Sequence, residues 1–121
     1  MLVIDAANVI GSRPDGWWRD RAGAAARFVA RVRRAVDEGR IEPPVTVVVE
    51  GRSRAGAAEG VEDGVEVVHA PAEGDDTIVL VVGRSDGPTV VTADRELSSR
   101  ARDAGAVEVV GPTWLLDRLS G

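Results

Sequence analysis

Met1-Leu2-Val3-Ile4-Asp5-Ala6-Ala7-Asn8 carries three consecutive aliphatic residues that end on a carboxylate. A continuous apolar run suits a strand buried on both faces, as in a parallel sheet, whereas a strand with one wet face alternates. Further valine-rich runs follow at Val45–Val49, Val65–Val68, Thr89–Val91 and Val107–Val110. Several are also continuous, so the opening stretch sets the pattern for the chain.

Helical patterns lie between these runs. The clearest spans Trp17 to Asp37, where Trp18, Ala22, Ala25, Phe28, Val29, Val32 and Val36 share one face at helical spacing. Arg27, Arg31 and Arg34 fall on the opposite face. This reading puts Trp18 in the core and leaves Trp17 exposed. Pro14-Asp15-Gly16 supplies the preceding turn, with Asp15 as the expected cap. Gly39 and the Pro43-Pro44 pair stop the helix. Further helices are expected from about Asp75 to Val82, from Arg95 to Ala104 and from Pro112 to Leu119. The stretch from Gly51 to Gly64 reads either as a short helix over Arg54–Glu59 or as a loop. Strands alternating with helices give an α/β fold, a three-layer sandwich around a central, mainly parallel, five-stranded sheet. With 121 residues the chain suits a single domain over 1–121, close to the usual size of roughly 100–150 residues.

Composition excludes several classes. Cysteine is absent, which removes disulfides and thiolate metal sites. The longest apolar run, Ile78 to Val82, is far short of the about 20 residues that span a bilayer. The start lacks a basic segment followed by a long apolar one, so a soluble cytoplasmic protein without a membrane partner is expected. The net charge of −5 argues against coating nucleic acid through the overall field. Every basic residue is nevertheless arginine. A GC-rich coding sequence explains that usage; phosphate recognition by the planar guanidinium is the functional reading.

The acids are the informative feature. In open parallel sheets ligands bind beyond the C-terminal strand ends, where the strand order reverses. Asp5 ends the first strand, Glu50 the second and Asp94 the fourth, while Glu73, Asp75 and Asp76 follow the third. All lie on one edge of the sheet. Carboxylates gathered together raise their pKa values or bind a cation. Oxygen ligands point to Mg²⁺ or Mn²⁺, and one histidine, His69, cannot build a zinc site. Each acid has a plain structural alternative as a helix cap.

At this point the motifs resemble a family. Asp5-Ala6-Ala7-Asn8-Val9-Ile10-Gly11 resembles the Asp-Gly-x-Asn-hydrophobic-Ile-Gly opening of NYN-domain and YacP-like proteins, members of the PIN-like nuclease group. Glu73-Gly74-Asp75-Asp76-Thr77-Ile78 is similar to their Glu-x-x-Asp helix start. Thr92-Ala93-Asp94-Arg95-Glu96-Leu97 is similar to the Thr-x-Asp-x-Asp-Leu signature of PIN domains. The chain departs from the pattern at Ala6-Ala7, where Gly followed by an aromatic or Asn is usual. The resemblance implies a PIN-like (Rossmann-like) sandwich and a metal-dependent endoribonuclease. It implies Mg²⁺ or Mn²⁺ held by Asp5, Asp76 and Asp94, with Glu73 as an extra ligand and Glu96 in the place of the fourth acid. Asn8 would orient the first Asp or contact a phosphate.

Around that site, Arg13 and Arg19 are candidates for holding phosphates, Trp17 for stacking on a base, and Asp75 and Arg95 for contacts to substrate. The expected partner is RNA, single-stranded or structured, free or on a ribosome, and a homodimer is compatible with the sequence. Two other functions fit the same residues: a phosphohydrolase acting on nucleotides or small phosphates, and an RNA- or ribosome-binding module with an inactive site. The absence of cysteine, and of a serine with an obvious histidine partner, argues against a nucleophilic side chain.

Overall fold

Each aliphatic run has two apolar faces to cover, and the runs solve this by lying side by side between helices. The computed structural model describes residues 1–120. Strands β1 (Leu2–Asp5), β2 (Val45–Val49), β3 (Gly60–Glu62), β4 (Val65–His69), β5 (Thr89–Val91) and β6 (Glu108–Val110) form one sheet in the order β3-β4-β2-β1-β5-β6. All neighbouring pairs are parallel except β3 and β4. The helices are α1 (Ala6–Gly11), α2 (Arg21–Asp37), α3 (Gly74–Arg84), α4 (Arg95–Ala104) and α5 (Pro112–Leu119).

Alternate residues of the strands feed two cores. Ile4, Val47, Val49, Val67 and Val91 pack with Phe28, Val29 and Val32 of α2 and Leu115 and Leu119 of α5. Val3, Val48 and Val90 pack on the other face with Ile78 and Val82 of α3 and Leu97 and Ala101 of α4. The sandwich therefore has the three expected layers. β1 is central, with β2 on one side and β5 on the other. The chain builds outward on the β2 side and then crosses to β5, so the switch point lies between β1 and β5.

The expected sheet had five strands; the structure has six. The added strand, β3, comes from the Gly51–Gly64 stretch. That stretch folds as a 3₁₀ helix over Gly51–Gly56 and then a hairpin. Asp63 and Gly64 take φ of 53° and 80°, the positive values a two-residue hairpin turn requires. The Asp-Gly pair between Val61 and Val65 was the available signal. Gly56 allows the 3₁₀ helix to press against α2, because a Cβ there would collide with the Ala22 carbonyl oxygen.

The start of the long helix also differs. α2 begins at Arg21, and Trp17–Arg19 forms a separate 3₁₀ turn. Asp20 caps α2, accepting from Gly23 N at 2.8 Å, while Asp15 accepts from Trp17 N at 3.2 Å. The break removes both tryptophans from the helical stripe and reverses their expected roles. Trp18 is 51% exposed and Trp17 is half-buried. α1 was not expected; its six residues follow directly from β1. No described helix is long and apolar enough to cross a membrane.

Candidate active site

The parallel register sets the C-terminal ends of β1, β2 and β5 side by side, and the residues that follow them make the site. Asp5 is the last residue of β1 and is 6% exposed. It caps α1, its Oδ1 accepting from Asn8 N at 3.3 Å. Its Oδ2 accepts from Thr92 Oγ1 at 3.0 Å, across the switch point. Thr92 Oγ1 in turn accepts from Asp94 N at 3.2 Å. Asn8 Oδ1 accepts from Ala93 N at 2.8 Å, a second tie between the same segments. Asp94 caps α4 through Oδ1, which accepts from Leu97 N at 2.9 Å. Capping and a ligand role are therefore compatible: each Asp commits an oxygen to its helix, and Asp94 Oδ2 has no hydrogen-bond partner among the described residues.

Burial raises the Asp5 carboxyl from its ordinary 3.8 to about 6. The Asn8 and Thr92 hydrogen bonds oppose the rise, and the charges of Asp75 and Glu50 add to it. The Asp75 carboxyl is also raised, first by desolvation and then by Asp94, Glu50 and Glu73, with Arg100 opposing. Asp5, Glu50, Glu73, Asp75 and Asp94 thus form one electrostatic group.

Asp76 falls outside this group. Its carboxylate is 2.7 Å from Arg100 Nη2 on α4, with the side chain 86% exposed. The sequence reading made Asp76 the ligand and Asp75 a substrate contact. Helical geometry sets the two apart: adjacent residues on α3 point about 100° from each other, and Asp75 is the one on which the charges of Asp94, Glu50 and Glu73 act. Glu96 is exposed in the first turn of α4 and acts on Arg100 rather than on Asp5 or Asp75. Glu73 is exposed just before α3. Glu50, noted at the strand end but not chosen as a site residue, accepts from Gly74 N at 2.7 Å through Oε2 and so holds the start of α3. Its signal was its position one residue beyond β2, the strand beside β1.

The other candidates scatter. Arg95 is exposed at the first position of α4. Arg13 lines a cavity of about 160 Å³ together with Arg27 and Arg31, while none of the acids at the strand ends contributes to that lining. Arg19 lies 5.8 Å from the Trp18 ring centre. Trp17 lines a larger cavity, about 390 Å³, which Glu50 and Glu73 also border. His69 is an ordinary hydrogen-bonded residue, its Nε2 2.6 Å from the Ala57 carbonyl oxygen.

As the side chains are placed, no three carboxylate or histidine groups among the described residues stand close enough together to hold a metal ion. By donor chemistry the group still suits a hard divalent cation. It offers only oxygen, and its buried member carries a carboxyl whose ionisation an adjacent cation would favour.

The mainly parallel sheet, with helices on both faces and this strand order, agrees with the PIN-like sandwich expected from the sequence. Among solved structures the chain is similar to a single-substitution mutant of Rae1 (YacP) from Bacillus subtilis. The two share 19% identity with a TM-score of 0.68, over 98% of this chain and 74% of that one. At that identity the likeness speaks for the fold. No family model matches the chain, and no curated protein matches it either.

Proposed function

We propose that this protein is a metal-dependent endoribonuclease that hydrolyses RNA phosphodiester bonds. The observation that carries the reading is the buried Asp5 at the switch point of a PIN-like fold, with its carboxyl raised to about 6 beside Glu50 and Asp75. Such a group is costly unless it works, and it stands where open α/β sheets bind ligands. The resemblance of the three motifs to those of NYN and YacP-like proteins supports RNA as the substrate.

Asp5, Asp75 and Asp94 would hold Mg²⁺ or Mn²⁺ once their side chains close on it, with Glu50 and Glu73 in the same acidic group. A bound ion supplies a water of lowered pKa and positive charge for the phosphorane-like transition state. The chain's own task is positioning. Thr92 fixes Asp5 Oδ2 and the Asp94 backbone through one hydroxyl. Asn8 holds the β5–α4 connection against α1 through Ala93. Both aspartates are anchored on helix N-termini, which ties one oxygen of each to its helix. The negative charge of the whole chain fits a cytoplasmic enzyme that meets RNA through a few arginines, or on a ribosome, rather than through a broad basic surface.

The test is incubation of end-labelled RNA with Mn²⁺, Mg²⁺ or EDTA, using wild type beside Asp5→Asn and Asp94→Asn. Metal-dependent cleavage lost in both variants is the expected result. Metal bound at these acids without RNA cleavage would move the assignment to a small-phosphate hydrolase or a binding module.

A further inference from the structure

We propose that the 390 Å³ cavity beside the carboxylates is a nucleobase subsite, with Trp17 as its stacking surface. The proposal deepens the ribonuclease reading and takes its substrate class from it. The cavity is large enough for a small ligand, within the roughly 300–1,000 Å³ typical of such sites. Ala7 and Ile10 of α1 contribute apolar lining, Trp17 comes from the 3₁₀ turn before α2, Arg21 is the first residue of α2, and Arg54 comes from the 3₁₀ helix after β2.

The lining selects the chemistry. Arginines and carboxylates share it: Arg21 and Arg54 on one hand, Glu50 and Glu73 on the other. Two carboxylates repel a phosphate, whereas a neutral planar heterocycle meets both donors and acceptors without a charge penalty. The apolar lining likewise suits a ring and not an ion. Glu50 and Glu73 belong at once to this cavity and to the acidic group around Asp75. With its base in the cavity, a nucleotide turns its phosphate toward those acids only where a cation offsets their charge; without metal the phosphate stays in solvent and the base alone is held.

Trp17 is held for the task. Its ring packs near α1, where a Cβ on Gly11 would lie 3.8 Å from it. Trp18 braces it edge-on, with ring centres 5.9 Å apart at 87°. The Arg21 guanidinium lies over the Trp17 ring, 5.5 Å from its centre; a base that stacks on that face takes the place of this flexible side chain. Arg54 is pinned by its Nε, which donates to the Gly51 carbonyl oxygen at 3.1 Å. Stacking of this type tolerates any base, so the subsite positions the chain more than it reads sequence.

Two assays on the full chain separate this inference from the nuclease reading. The first titrates wild type, Trp17→Leu and Trp17→Phe with AMP and with UMP in EDTA, following tryptophan fluorescence and nucleotide NMR line widths, with thermal melts as the folding control. The second measures RNA cleavage in Mn²⁺. The expected result is millimolar nucleotide binding lost in Trp17→Leu and restored by NMR in Trp17→Phe. In cleavage, Trp17→Leu raises KM roughly tenfold or more at little-changed kcat, the scale of one base–aromatic stack. Nucleotide binding without any RNA cleavage would support the subsite and overturn the nuclease. RNA cleavage with a folded Trp17→Leu protein of unchanged KM and unchanged nucleotide binding would overturn the subsite and leave the nuclease standing.

Discussion

Replacing Asp5 by Asn should stabilise the metal-free protein while destroying its activity. The rise of the Asp5 carboxyl from 3.8 to about 6 means that folding must either protonate the group or leave a charge in a dry place. At about 1.36 kcal/mol per pH unit, the cost at neutral pH is about 3 kcal/mol. Below pH 3.8 the carboxyl is protonated in folded and unfolded chains alike, and the cost is absent. It enters as pH rises past 3.8 and is complete above about 6. Asparagine keeps the acceptor for Asn8 N, and its amide can donate to Thr92 Oγ1 where the carboxylate accepted. Allowing about 1 kcal/mol for imperfect refitting of that bond, the variant gains about 2 kcal/mol at pH 8. For a domain of this size that is roughly 5–10 °C in Tm. The assay is a thermal melt of both proteins in EDTA at pH 4 and at pH 8. The gap should open between those values, and Mn²⁺ should raise the Tm of wild type only. A variant that melts lower than wild type at pH 8, or by an equal margin at both pH values, would refute the reasoning.

Other substitutions separate the roles of neighbouring residues. Asp75→Asn should reduce metal-dependent RNA cleavage by more than the roughly 10–100-fold typical of losing an outer-shell partner. Asp76→Asn should leave cleavage intact and the thermal midpoint almost unchanged, because its pair with Arg100 is exposed. Equal cleavage losses in the two would return Asp76 to the site. Thr92→Val removes the hydroxyl shared by Asp5 and Asp94, and should lower cleavage in single-turnover assays with unchanged secondary structure by circular dichroism. Gly56→Ala should cost about 1–3 kcal/mol in urea unfolding, because the added methyl meets the Ala22 backbone; an unchanged midpoint would show that the 3₁₀ helix yields easily.

The sequence by itself determined the layered architecture. Continuous aliphatic runs have only one economical arrangement, side by side between helices, and so Leu2–Ile4, Val45–Val49 and Thr89–Val91 were legible as central strands. It also set Asp5, Glu50 and Asp94 at one edge, because a parallel sheet brings its strand ends to the same side whatever the loops do; that Asp5 and the Asp94 backbone share the Thr92 hydroxyl depends on β1 and β5 being neighbours. Tertiary structure decided what depends on rotation and contact. Asp75 and Asp76 are adjacent in sequence and equal in chemistry; only the setting of α3 against Glu50 and α4 turns one to the acids and the other to Arg100. Trp17 and Trp18 likewise take roles opposite to those the helical stripe suggests, because the 3₁₀ turn breaks the stripe, half-buries the first and exposes the second. Glu50 and the cavity next to it arise where segments far apart in the chain come together, and a local pattern carries no record of which distant residue will stand opposite. Periodicity reports which face of an element is buried, whereas the partner across that face is a property of the folded whole.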